Sequence, residues 1–120
     1  MAESKAKTTE ISIQVDLNEN NLPVEMRWNA EDSNVRNSIA AALFLSLWDP
    51  KQKNTMKIDL WTKDMSVEEM SKFFFQTYIT MVETFEKATN EDQMAMAMRD
   101  FAEFFGEKMR VIQPTGKFDK

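Results

Sequence analysis

The side chains that could do chemistry in this sequence are carboxylates. Asp59 and Asp64 stand close together, as do Glu68 and Glu69. Paired carboxylates support general acid–base work when their environments separate their proton affinities. None of these sits in a motif that would do so. Asp64, Glu68 and Glu69 surround the start of a helix, where negative charge is favoured in any case. The sequence contains no His and no Cys. That removes imidazole bases, thiolate nucleophiles, disulfides and the usual zinc ligands together. No set of acids is spaced around a Gly as a calcium loop requires. Gly106 and Gly116 are the only two glycines, so a phosphate-cradling loop is absent. These residues point to a non-enzymatic protein with no cofactor.

The unusual feature is a pair of large rings in "LWDPKQKNTMKIDLW" (Leu47–Trp61), which holds two of the three tryptophans. Their placement depends on the elements around them. "ISIQVDL" (Ile11–Leu17) alternates apolar and polar residues, the period of a half-buried strand. "NENNLP" supplies turn residues, and "VEMRWNA" (Val24–Ala30) alternates again. Pairing Leu17 with Val24 puts Val15 beside Met26 and Ile13 beside Trp28, so both apolar faces agree. Residues 31–38 are polar and read as a loop. "SIAAALFLSLW" (Ser38–Trp48) could be helix or strand. The alternation of "TMKIDLW" (Thr55–Trp61) favours a strand. With "DPKQKN" (Asp49–Asn54) as the connection, Trp48 faces Thr55. Leu47, Leu45 and Leu43 then oppose Met56, Ile58 and Leu60.

Two helices follow. Ser66 and Glu69 have capping-box spacing, and Met65 and Met70 that of a hydrophobic staple. Val67, Met70, Phe74, Tyr78, Met81 and Phe85 form one stripe of a helix that ends near Ala88. Asn90 with Gln93 repeats the capping pattern. Met94, Met98, Phe101, Phe105 and Met109 form the stripe of a second helix, stopped at Pro114. The expected fold class is therefore α+β: a two-layer domain with a four-stranded antiparallel sheet of two hairpins and two C-terminal helices packed on one face. It spans 10–112 as a single domain between flexible tails at 1–9 and 113–120. Leu45, Ile58, Phe74, Phe85, Met98 and Phe105 are expected in one core.

That register places Phe44, Trp48 and Trp61 on the sheet face away from the helices, with Lys57 and Asp59 between the rings. Aromatic anchors with polar neighbours suit a contact with another protein. A homodimer packed sheet on sheet would cover them. So would residues 31–38 folding back over the rings within the chain, and the sequence leaves both open. The methionines on the helix stripes read as core filling rather than as a soft binding groove.

The formal net charge is −5, with Lys and Arg scattered singly, so nucleic acid is not an expected partner. The start of the chain lacks the apolar run of a signal peptide. The longest apolar stretch, Ile39–Trp48, is about half of the ~20 residues that a membrane span needs. A cytoplasmic protein is expected, with peripheral attachment to the inner membrane only through a partner.

The stretch from Ile58 to Met109, above all "DLWTKDM" (Asp59–Met65) and "MRDFAEFF" (Met98–Phe105), resembles the gliding motility protein GldC family. "DLNENNLPVEMRWNAED" (Asp16–Asp32) and "LSLWD" (Leu45–Asp49) extend the resemblance over roughly residues 10–112. It implies a small accessory component of a bacterial gliding machine that assists a membrane-associated component from the cytoplasmic side. It brings no catalytic residues. The order of four strands and two helices is also that of the SecB export chaperone, an analogy at fold level only, which would make the chain a binder of apolar client segments.

Overall fold

The computed structural model describes residues 6–119. They are strands β1 (Ile11–Leu17), β2 (Pro23–Ala30), β3 (Val35–Ala40), β4 (Ala42–Asp49) and β5 (Asn54–Trp61), then helices α1 (Val67–Thr89) and α2 (Asp92–Lys108). The chain divides into two compact units, Met1–Met65 and Ser66–Lys120. The class is α+β, but the first unit has five strands in two antiparallel sheets, β1-β2-β3 and β4-β5. A single four-stranded sheet is not formed.

The extra strand comes from the segment expected to be a loop. Only residues 31–34 turn; Val35–Ala40 pair with β2. The register slips between Trp28 and Ala30, opposite Asn37, whose φ is +49°. Asn29 Oδ1 accepts the Asn37 N–H at 2.9 Å. The left-handed residue and its side-chain acceptor make a bulge, and a bulge breaks period two. The stretch expected as one strand from Ser38 to Trp48 is therefore two, divided by a bend at Ala41. The Ala41 carbonyl accepts the Thr62 N–H at 2.9 Å.

In the first hairpin Val15 faces Met26 and Ile13 faces Trp28, as the alternation requires. Leu17 faces Pro23 rather than Val24, because the register shifts after Asp16. The turn is built on Asn18, whose Oδ1 accepts the N–H groups of Asn20 and Leu22 at 2.8 and 3.0 Å. Met26, on the central strand, is fully buried, and Ala30 is nearly so. On the opposite face Arg27 holds Asp16 at 2.8 Å and also reaches Glu25. The Arg27 guanidinium holds the Asp16 carboxyl below the usual carboxylate range.

In the second unit the capping box forms as the sequence requires. Ser66 Oγ accepts the Glu69 N–H at 3.0 Å, and Glu69 Oε1 accepts the Ser66 N–H at 3.5 Å. Ser66→Ala is expected to lower the thermal unfolding midpoint by an amount equivalent to about 1 kcal/mol. An unchanged midpoint would show that the cap contributes nothing.

Asn90 does not cap the second helix. It closes α1 in the left-handed region, φ +58°, and donates its N–H to the Glu86 carbonyl. Glu91 precedes α2 without a side-chain cap. Asn suits both roles, which is why the sequence pattern misassigns it.

α2 ends at Lys108, well before Pro114. The Val111 N–H bonds to the Gly106 carbonyl at 2.8 Å and the Arg110 N–H to Glu107 at 3.1 Å, a Schellman closure. Arg110 sits at φ +61°. Glycine takes this conformation without strain, so Arg110→Gly is expected to raise stability by about 1 kcal/mol. Chemical denaturation checks it, and a lowered midpoint would contradict it. Beyond the helix, Glu107 accepts from Thr115 N–H and Oγ1 at 3.0 and 2.9 Å. Phe118 packs edge-on to Phe104 at 5.3 Å. Thr115, Lys117 and Phe118 thus each touch a side chain of α2. Residue 120, like residues 1–5 of the expected N-terminal tail, lies outside the described residues.

Within this unit the buried positions are Ser71, Val82, Ala95, Ala102, Gly106 and Glu107. A Cβ at Gly106 would lie 2.7 Å from Phe75 Cε1, so the glycine permits the close approach of α1 to α2. Tyr78 and Phe101 meet edge-on with centroids 5.8 Å apart. None of the six residues expected in one core is fully buried. Ile58 and Phe74 are 52% and 48% exposed, and Leu45, Phe85, Met98 and Phe105 are half-buried.

Candidate interface ribbon

β4 and β5 form a two-stranded ribbon closed by residues 50–53. Asp49 Oδ1 accepts the N–H groups of Lys51 and Gln52 at 2.9 and 3.2 Å, and Lys53 takes φ +56°. An Asx turn followed by a left-handed residue reverses the chain without glycine. The register is Ala42 with Trp61, Phe44 with Asp59, Ser46 with Lys57 and Trp48 with Thr55. Directly opposed residues share a face, so Phe44, Trp48, Trp61, Lys57 and Asp59 all lie on one side.

Trp48 and Trp61 mark opposite ends of that face, roughly 20 Å apart along the strands at ~3.3 Å per residue. They are 63% and 52% exposed. Phe44 is half-buried and has an interaction of its own. Between the rings, Lys57 Nζ lies 2.7 Å from Asp59 Oδ2. The pair is neighbouring on one strand face and solvated, so it contributes little to stability in the isolated chain.

The other face carries three aliphatic pairs: Leu43 with Leu60, Leu45 with Ile58, and Leu47 with Met56. Of these, Leu45 and Ile58 were expected in the core. Leu47, Met56 and Ile58 are 58%, 56% and 52% exposed. The ribbon therefore presents apolar side chains on both faces toward its turn. The available signal was a strand apolar on both sides, which implies cover on both sides.

Asp59 is engaged by Lys57, and Asp64 lines a shallow cavity of about 190 Å³ with Leu22, Val24 and Thr62. A second hollow, about 430 Å³, is lined by Glu10, Ser12, Asn29, Glu31, Val35 and Arg36. In the second, Ser12 Oγ accepts from Asn29 Nδ2 at 3.4 Å. Among the described residues no group of three acidic side chains could hold a metal ion, and no helix is long and apolar enough to cross a membrane.

The architecture is thus that of a small α+β protein whose distinctive surface is an exposed β-ribbon. The gliding motility-associated GldC-like family matches residues 23–111, from the first residue of β2 to just past the end of α2. The chain belongs to that family. No curated protein and no solved structure matches it.

Proposed function

We propose that this protein is a non-enzymatic accessory of the gliding motility machinery and works by binding another protein component through the β4–β5 ribbon. The observation that carries the reading is the pair of exposed rings, Trp48 and Trp61, at either end of one face with the Lys57–Asp59 pair between them. Large apolar rings beside satisfied polar groups have the mixed composition of a protein interface. The partner is a membrane-associated gliding component met on the cytoplasmic side, so the chain itself needs no membrane span. No cofactor enters this function.

The SecB-like reading, a chaperone for apolar client segments, loses its topological basis with the fifth strand. It retains one favouring observation, the exposed Leu47, Met56 and Ile58 on the second ribbon face. A cross-linking pull-down from native cells separates the two. An adaptor recovers one or two defined gliding components. Recovery of many unfolded chains, together with suppression of their aggregation in vitro, would replace the adaptor reading with the chaperone one.

A further inference from the structure

β5 is a sheet edge. Its ladder has β4 as its one neighbour, and among the described residues its backbone makes no other main-chain bonds. Natural proteins blunt such edges with bulges, proline or inward charge. β3 has its bulge at Asn37. β5 has an unbroken register over its whole length, Asn54–Trp61, and no proline. Its one cation, Lys57, is neutralised by Asp59. An edge left this way is a template for another strand.

The sequence of β5 specifies which strand. About Ile58 it is self-complementary: Lys57 and Asp59 flank the centre, then Met56 and Leu60, then Thr55 and Trp61. We propose that β5 pairs antiparallel with β5 of a second copy about a two-fold axis at Ile58, giving a four-stranded sheet β4-β5-β5-β4. In that register each Lys57 opposes the Asp59 of the other copy, twice. Opposite charges directly across a strand pair attract, and like charges there repel. Sliding the register by one rung either way sets Lys57 against Lys57, or Asp59 against Asp59. A slip of half a rung turns the aliphatic face of one ribbon onto the aromatic face of the other. One register satisfies charge and polarity together.

The pairing also joins the two aliphatic faces into one. Ile58 and Met56 move from the rim of a ribbon to the middle of a sheet. The central row becomes Leu45, Ile58, Ile58 and Leu45, flanked by rows of Leu43, Leu60, Met56 and Leu47. On the other face Trp48 and the second copy's Trp61 share a row with Thr55 between them, so the two-fold doubles the aromatic surface. A lone two-stranded ribbon is marginal in water, and four strands are not. The interface is isologous, as a closed dimer requires. The inference concerns the strand edge and stands apart from which protein meets the aromatic face.

Light scattering on the native chain is expected to give twice the 14.0 kDa chain mass. Lys57→Asp and Asp59→Lys, each alone, place like charges in both symmetric pairs and are expected to raise the dimer dissociation constant about tenfold or more. Mixing the two variants restores both pairs across the axis, so the mixture is expected to dimerise as the native chain does. An ion pair confined to one chain cannot be rescued by mixing. Ile58→Cys adds a readout independent of charge. The chain has no other Cys, and the two thiols oppose each other on the axis, so mild oxidation is expected to give a disulfide dimer. Met56→Cys, whose copies are out of register, is expected to give none. A native chain that remains monomeric at all concentrations overturns the proposal. So does a mixture that stays dissociated while both variants are folded by circular dichroism. A dimer broken by Trp48→Ser with Trp61→Ser but untouched by the charge variants also overturns it, because the copies then meet face to face.

Discussion

Met26→Ala is expected to destabilise the protein by about 2–5 kcal/mol, the range found when a large buried side chain is truncated and the cavity cannot fully close. Met26 lies on the central strand of the three-stranded sheet, between Val15 on one side and Ala40 on the other. It is 0% exposed. Each of these neighbours is held to β2 by its ladder, which limits how far it can move to fill the space. The companion change is Leu47→Ala on the ribbon. Alternation gives both residues the same role, yet Leu47 is 58% exposed. Its truncation is expected to cost under about 1 kcal/mol, because most of its apolar surface is already in water. Urea unfolding of the two variants measures both costs. Equal losses would mean that the ribbon is buried as deeply as the sheet. A loss of many kcal/mol at Met26 would exceed the margin of a domain this size, which is about 5–15 kcal/mol in all. In that case the variant is expected to be unfolded rather than merely weakened.

What the sequence revealed follows from how local each determinant is. The β4–β5 register was legible pair by pair, because the alternation from Met56 to Leu60 matches Leu47, Leu45 and Leu43 once the turn is placed after Asp49. The Ser66–Glu69 box was legible for the same reason: both partners lie within one helical turn. β3 was not. Asn37 adopts a left-handed conformation to fit a bulge, and the acceptor that steadies it, Asn29, is on another strand. No window on Val35–Ala40 contains that information. The tie from Thr115 to Glu107 is likewise a side-chain contact across a chain reversal, invisible to periodicity. For the candidate site, the five residues Phe44, Trp48, Lys57, Asp59 and Trp61 share the face that alternation assigned to them. The exposure of Leu47, Met56 and Ile58 was missed, because an apolar face is read as buried whenever helices follow. Alternation says which residues share a face. It does not say what covers that face.

The double change Trp48→Ser and Trp61→Ser is expected to abolish capture of the protein's partner while leaving the fold nearly intact. Aromatic anchors at an interface commonly cost about 2 kcal/mol or more each when truncated. One such loss weakens binding by roughly 30-fold, and two put a micromolar contact out of reach of a pull-down. The fold loses less. Both rings are more than half exposed, and each opposes a small residue, Thr55 or Ala42. Ser keeps the hydrogen-bonding backbone of the ribbon and tolerates the strand conformation. Two measurements decide the matter: recovery of the cross-linked partner by native and variant chains, and thermal unfolding by circular dichroism. Loss of the partner with an unfolding midpoint within a few degrees of native identifies the rings as the contact. If the partner is retained and only the midpoint falls, the rings cover this chain's own surface, and the adaptor must bind elsewhere. The charge pair between the rings refines the result. Lys57→Ala leaves both rings in place, and its solvated ion pair is worth little to the fold. It is expected to change the salt dependence of partner capture more than its strength, because a solvated charge acts mainly on encounter.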